Sequence, residues 1–568
     1  MAGVIRRVAG PLVDFDVADA GTAVGDLVSL GAAGVPGEVV SIAAGRATTQ
    51  AYEYTGGLAP GQPARPRGAP LSAALGPHLL GGVFDGLLRP LSGAPDFLEP
   101  GAGTAVDTVP RRFTPRVRAG DVLAAGAVLG VLDTGPVEYR VLVPPGGGGT
   151  VQMVAAAGLL PPDAVLARVG DADVRQRSAW PVRRPRPHAG RLGTGRLLRT
   201  GQRVVDQFFP LPVGGTAGVP GGFGTGKTLL LQQIAKWCDA DVVVYVGCGE
   251  RGNEMAEVVA DLTGLTDPRT GGRLADRTVI IANTSNMPMM AREASVYTGV
   301  TVAEHFRDMG LDAVVIADST SRWAEALREF AARTGELPAE EGYPAGLPSA
   351  LAAFYERAGA VRTLGGDTGS VTIIGAVSPP GGDLTEPVTT YTERFVRCRW
   401  TLDRDLAYSR HYPAVSWSES FCRDLGAAAA AHRAAGDAGW PDRRDRILAV
   451  LAEADRLTTV AELVGVDALP PAERAALLCG RLARDALLRQ SALSAVDAYC
   501  DERRGAALAE AVRTVCDAVR AAVAGAAVAA DVERVDFGPL VRAREDPDTD
   551  GVAGRVATVL AAVRGAAP

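Results

Sequence analysis

Apolar positions change their spacing several times along the chain, and each change predicts a different kind of structure. Up to about residue 70, short apolar runs separated by glycine turns recur about every ten positions: Val4-Ile5, Leu12-Val13, Leu27-Val28-Ser29-Leu30, Gly37-Glu38-Val39-Val40 and Arg46-Ala47-Thr48-Thr49. Short strands at that spacing predict a small N-terminal β-barrel over residues 1–70. Residues 71–112 are rich in Gly and Pro with little periodicity, and read as a connecting segment. Residues 113–184 return to strand-like patterning around Val141-Leu142-Val143-Pro144-Pro145 and a glycine run at 146–149, which predicts an inserted small β module. Between 185 and 425, continuous β-branched runs such as Val242-Val243-Val244-Tyr245-Val246, Val279-Ile280-Ile281, Ala313-Val314-Val315-Ile316-Ala317 and Val371-Thr372-Ile373-Ile374 alternate with helical stretches. Uninterrupted apolar strands separated by helices predict a buried parallel sheet, an α/β domain. From 426 to 568 the chain is Ala-, Leu- and Arg-rich at helical spacing, a C-terminal helical domain.

Composition narrows the functional classes. The 568 residues are 47% hydrophobic and 22% charged, enough for several buried cores and too apolar for a disordered chain. The net charge of −7 and the brevity of the basic run Arg183-Arg184-Pro185-Arg186 argue against nucleic-acid binding. Seven scattered cysteines without C-x-x-C spacing read as reduced thiols, and five isolated histidines offer no zinc motif. The N-terminus, MAGVIRRVAGPLVDFD, lacks the apolar core of a signal peptide. The longest uncharged apolar runs, such as 122–132, are far short of the ~20 residues needed to span a bilayer. The expected location is therefore cytoplasmic, with any membrane link made through a partner. Of 58 basic residues only Lys227 and Lys236 are lysine, so 56 are arginine. A lysine retained in such a chain points to a site that needs a compact charge on a thin stem.

Lys227 lies in the clearest motif, Gly221-Gly222-Phe223-Gly224-Thr225-Gly226-Lys227-Thr228, a complete G-x-x-x-x-G-K-[ST] match ahead of the helical run at 229–237. Backbone amides of such a loop wrap a phosphate, the following helix points its positive end at the same anion, and the lysine and threonine reach the outer phosphates and Mg²⁺. Asp318, directly after the apolar run at 313–317, is placed as the strand-end acid that holds Mg²⁺ through water. Gly249-Glu250-Arg251 closes the strand that follows the P-loop helix, at the sheet edge where ligands bind in open α/β folds. Glu250 is thus the candidate to activate the attacking water, and Arg251 to neutralise γ-phosphate charge. The alternative for Arg251 is a surface ion pair with Glu250 or Glu254.

Around these residues the strings GGFGTGKT, VVVYVGCGERGNEM, ANTSNMP, AREASVYTGVT, ADSTSRWAEALRE, EEGYP, LAAFYERAG and GAVSPPGGDLTEPVT follow one another. In that order they resemble the catalytic A-type chain of V-type and archaeal/bacterial V/A-type rotary ATPases. GVIRRVAGPLV near the start, WPVRRPRP at 180, RTGQRVVDQFFP at 199 and LVGVDALP at 463 extend the resemblance over nearly the whole chain. The inserted module resembles the region that distinguishes this catalytic chain from its B-type partner.

The resemblance implies ATP hydrolysis or synthesis with Mg²⁺, at sites between alternating A-like and B-like chains of a hexameric ring, each completed by an arginine from the neighbour. It further implies central and peripheral stalks and a membrane sector that carries H⁺ or Na⁺, with this chain at the inner face of the membrane. Carried onto this sequence, Lys227 and Thr228 hold phosphates and Mg²⁺, Glu250 activates water, Arg251 contacts the γ-phosphate and Asp318 is the strand-end acid.

Three departures stand out. Gly222 replaces the usual proline, Thr225 replaces the cysteine of many eukaryotic relatives, and QSAL replaces QNAF, so that Leu493 stands where an aromatic usually packs on adenine. Phe421 remains as the stacking candidate. Two rivals are a secretion-type or Rho-like hexameric motor, disfavoured by the inserted module and the acidic charge, and a non-catalytic or degenerate paralogue, disfavoured by the retention of Lys227 and Glu250.

Overall fold

The computed structural model describes residues 3–17, 21–95, 98–101, 107–193, 195–525 and 527–566. Six strands close the N-terminal barrel: β1 (Gly3–Ala9), β2 (Leu12–Asp16), β3 (Asp26–Leu30), β4 (Val35–Ala43), β5 (Arg46–Ala51) and β6 (Pro63–Pro70), in the order β1-β2-β5-β4-β3-β6. Alternate residues, among them Ile5, Val13, Phe15, Val28, Leu30 and Val39, fill the interior. Strand β6 is not visible as a strand in the sequence because PARPRGAP carries three prolines, which donate nothing to a ladder. Its carbonyls remain available to the barrel: that of Pro63 takes the Gly31 N–H at 2.8 Å.

The inserted module is two four-stranded antiparallel sheets packed around Phe113, Leu129, Val141, Val151 and Leu166. The segment between the barrel and this module does more than connect them. Its strand Ser72–Leu75 pairs with Ser178–Pro181 at the module's far end, and its strand Val83–Phe84 joins the edge of the central sheet, parallel to Thr278–Thr284.

In the central sheet the spatial order is Phe421–Cys422, Cys398–Arg399, Thr216–Pro220, Thr368–Val377, Asp312–Asp318, Val242–Glu250, Thr278–Thr284, Val83–Phe84, and the strands from Cys398–Arg399 to Val83–Phe84 run parallel. Both faces are covered, as the unbroken apolar strands require. The 20-residue helix Met289–Asp308 is buried along most of its length between the sheet and the module. Polar ties fix it there: Tyr139 OH lies 2.8 Å from His305 Nε2, Arg186 Nε donates to Asp308 at 2.7 Å and Arg183 to Glu293 at 2.6 Å.

Seven α-helices from Leu425–Ala434 to Thr549–Gly565, described with short 3₁₀ turns and one π turn, form the C-terminal domain. Its apolar residues, such as Ile447, Leu451, Val512 and Val519, merge with the core beneath the P-loop helix in one cluster. At this junction Arg203 and Asp497 form an ion pair whose side chains are both fully buried. Arg203 also donates to the Leu487 carbonyl at 2.9 Å, and Asp497 accepts the Ser491 N–H at 2.7 Å. All seven cysteines are free and buried, and no helix among the described residues is long and apolar enough to cross a membrane.

Candidate active site

The loop at 221–226 leaves the end of strand Thr216–Pro220 and enters helix Lys227–Trp237. Gly224 and Gly226 have φ of +78° and +82°, a conformation that side chains disfavour, so these two glycines are what the turn requires. Nothing requires glycine at 222: its φ is not positive, and a Cβ there meets only Gly382 Cα at 3.6 Å. Thr225, 2% exposed, closes the turn by donating to the Gly222 carbonyl at 2.9 Å, while Phe223 stands out in solvent.

Lys227 Nζ donates to the carbonyls of Gly221 at 2.7 Å and Val377 at 3.2 Å, which holds the ammonium across the mouth of the loop. Burial pushes its pKa down, while the carboxylates of Asp318 and Glu250 pull it back up. Asp318 ends strand Asp312–Asp318 and is 2% exposed. It accepts from Tyr245 OH at 3.0 Å and from Thr228 Oγ1 at 3.3 Å, and burial raises its pKa. Glu250 ends the adjacent strand, whose Gly247 pairs with Asp318. Its pKa is raised to about 7, first by burial and then by the charge of Asp318, against the lowering effects of Arg322 and Lys227. A carboxyl poised near neutrality beside a phosphate loop is suited to taking a proton from water.

Lys227, Thr228, Asp318 and Glu250 are thus brought together. Arg251 is not. Its side chain is 71% exposed at the start of helix Gly252–Gly264, with Glu254 3.9 Å away, which is the surface arrangement the sequence left open. The cation whose field reaches Glu250 besides Lys227 is Arg322, which donates to both oxygens of Glu325 at 2.9 Å. Gly249, at φ +75°, packs so closely on Arg322 that a Cβ there would sit 2.7 Å from the arginine's own. The string ADSTSRWAEALRE contains Arg322, but nothing in its spacing marks that residue as facing the neighbouring strand end.

A cavity of about 320 Å³ opens beside the P-loop, lined by Gly226, Leu229, Gln233, Tyr412 and Leu493 among others. That is room for the nucleoside part of a nucleotide. Leu493 is 98% exposed at its mouth. Phe421 is not brought to this cavity. It belongs to the sheet's edge strand Phe421–Cys422, where Arg399 and Arg423 lie over its ring at 5.3 and 5.1 Å. The aromatic that lines the cavity is Tyr412, whose ring lies against Gly226. Gln490 N–H donates to the Tyr412 carbonyl at 2.9 Å and fixes it to the segment that carries Leu493. With Tyr412 on one wall only, Leu493→Phe is expected to tighten Mg-ATP binding about fivefold, within the range of one added base–aromatic stack. Isothermal titration would check this, and an unchanged dissociation constant would place the base elsewhere.

Four family models match consecutive parts of the chain. They are the β-barrel domain of the ATP synthase alpha/beta family (residues 5–68), the alpha/beta subunit barrel-sandwich domain (108–183), the alpha/beta family nucleotide-binding domain (201–422) and the C-terminal domain of V and A type ATP synthase (431–525). The V-type ATP synthase alpha chain of Anaeromyxobacter dehalogenans strain 2CP-C is 51% identical over 512 residues, covering 88% of this chain and 87% of its own. The corresponding A chain of the A-type ATP synthase of Methanopyrus kandleri is 48% identical over 514 residues, covering 88% and 86%. The assembled ATPase EscN of the enteropathogenic E. coli type III secretion system shares the fold, with a TM-score of 0.64 at 21% identity over 90% of this chain and 100% of that one. From barrel to helical domain, the chain belongs to the family of V-type ATP synthase alpha chains and their A-type ATP synthase counterparts.

Proposed function

We propose that this chain is the catalytic subunit of a V/A-type rotary ATPase, hydrolysing or synthesising ATP in a ring with B-type neighbours and driving, through a central stalk, H⁺ or Na⁺ transport across a membrane. The observation that carries the reading is Glu250, a carboxyl held near neutrality at a strand end beside Asp318 and in the field of Lys227. In hydrolysis the ionised Glu250 accepts a proton from the attacking water as its oxygen bonds to the γ-phosphorus and the β–γ bridging oxygen leaves with ADP. Lys227 and the loop amides hold the phosphate oxygens throughout. In synthesis the proton returns from Glu250.

Thr228 and Asp318 fit a Mg²⁺ site. Both present oxygen only, as a hard cation demands, and their side chains are already 3.3 Å apart. With two oxygen ligands from the chain, the ion would complete its shell with nucleotide phosphates and water. Thr228 would ligate it directly and Asp318 through water, and the ion would supply positive charge to offset that of the phosphates during transfer.

Arg251 faces outward instead of toward the phosphate loop, which favours an arginine supplied by a B-type neighbour. In this reading the membrane sector is reached through the stalks; no helix among the described residues is itself long and apolar enough to cross a membrane. The test is Mg²⁺-dependent ATP turnover of the chain alone and with its B-type partner. Turnover is expected to rise at least tenfold on adding the partner, a conservative bound for an arginine supplied in trans. A partnered ring that binds ATP but hydrolyses none would identify a degenerate paralogue.

A further inference from the structure

The matched C-terminal domain ends at residue 525, but the chain continues through three more helices, Ala529–Glu533, Gly538–Arg542 and Thr549–Gly565. These do not project away. The short turn Ala543–Glu545 between the second and third returns to the cavity beside the P-loop, and Arg544 is part of its lining together with Tyr412 and Leu493.

Several bonds hold this turn in place. Arg504 donates to the Arg544 carbonyl at 3.0 Å, Ser494 Oγ donates to Glu545 at 2.6 Å, and Arg555 donates to Asp546 at 2.9 Å. The Ser494 bond ties the turn directly to the residue after Leu493. Arg544 itself is only partly committed. Its Nη1 donates to the Asp485 carbonyl at 3.1 Å and its Nε lies 3.8 Å from Asp497 without a hydrogen bond. Its Nη2 has no hydrogen-bond partner among the described residues.

We infer that Arg544 is a nucleoside-contacting residue, presented by the C-terminal extension, whose planar guanidinium packs on the base or bonds the ribose of the bound nucleotide. A guanidinium stacks on a base much as an aromatic ring does, and it keeps donors at its edge for hydroxyls. The wall that Leu493 leaves without a ring is thereby supplied from another part of the chain. This inference rests on the reading of the P-loop as the nucleotide site.

The experiment is titration of the full-length chain with two probes, the Mg²⁺ complex of a non-hydrolysable ATP analogue and that of inorganic tripolyphosphate. The chains compared are wild type, Arg544→Met, Glu545→Gln and Lys227→Ala. Arg544→Met keeps the aliphatic stem and is expected to weaken the ATP analogue about tenfold, the scale of one lost base contact, while tripolyphosphate stays within twofold. Glu545→Gln loosens the turn without removing the guanidinium, and is expected to leave both probes within twofold. The inference is overturned if Arg544→Met shifts the ATP analogue less than twofold, weakens tripolyphosphate equally, or is matched by Glu545→Gln. If instead wild type fails to bind the analogue, or Lys227→Ala binds it undiminished, the P-loop reading itself fails.

Discussion

Glu250→Gln is expected to lower ATP turnover of the partnered ring about a thousandfold while leaving ATP bound, because it removes the proton acceptor and keeps the side chain's shape. Wild-type turnover should rise with pH through about 7, as the Glu250 carboxyl ionises, and that limb should vanish in the variant. Stability gives an independent reading. An unfolded glutamate titrates near 4.5, so between there and about 7 the folded chain holds a proton that the unfolded chain has released. Stability of the nucleotide-free protein therefore falls as pH rises through this window. The variant escapes that loss: its unfolding midpoint should exceed wild type at pH 8 and match it at pH 4. Reduced turnover with a lowered midpoint at pH 8 would instead mark Glu250 as a structural residue.

The second large effect is expected at the junction of the sheet and the helical domain. Asp497→Asn leaves the Arg203 guanidinium buried without its counter-charge, and removing one partner of a fully buried pair costs about 3–5 kcal/mol. Urea unfolding followed by tryptophan fluorescence would measure it. Trp440 sits at this junction with its indole N–H on the Gln207 carbonyl at 3.0 Å and should report the loss. The double change Arg203→Met with Asp497→Leu is expected to recover most of the stability, since two apolar side chains leave no uncompensated charge. If the double variant is as unstable as Asp497→Asn, the bonds of Arg203 to the Leu487 and Arg489 carbonyls carry the junction and the charge pair does not.

Much of this site could be read from the chain because its chemistry is local. The P-loop is eight consecutive residues, and Asp318 and Glu250 each end an unbroken apolar strand, so strand direction alone carries both to one edge of the sheet. What could not be read depends on which distant segments fold back. Tyr412 and Phe421 are nine positions apart, and only the bond from Gln490 and the two arginines over Phe421 decide which ring reaches the cavity. Arg251 and Arg322 are both arginines after a strand end; Arg251 starts its helix facing solvent, while Arg322 lies in the first turn of its helix, against Gly249. In the barrel, three prolines hid strand β6, because strand propensity registers missing donors and not the carbonyls still available.

The edge strand Val83–Phe84 has a consequence for how the protein is made. Its partner residues, Ile280 and Ile281, leave the ribosome 197 residues later. At about 5–20 residues per second that is a delay of roughly 10–40 s, during which residues 83 and 84 have no sheet to join. The N-terminal barrel is free to close in that interval, but the central sheet does not gain this edge until the first and third fifths of the sequence meet. A chimera that exchanges the barrel with a relative should therefore be cut near residue 70, so that the segment after it travels with the domain whose edge it forms.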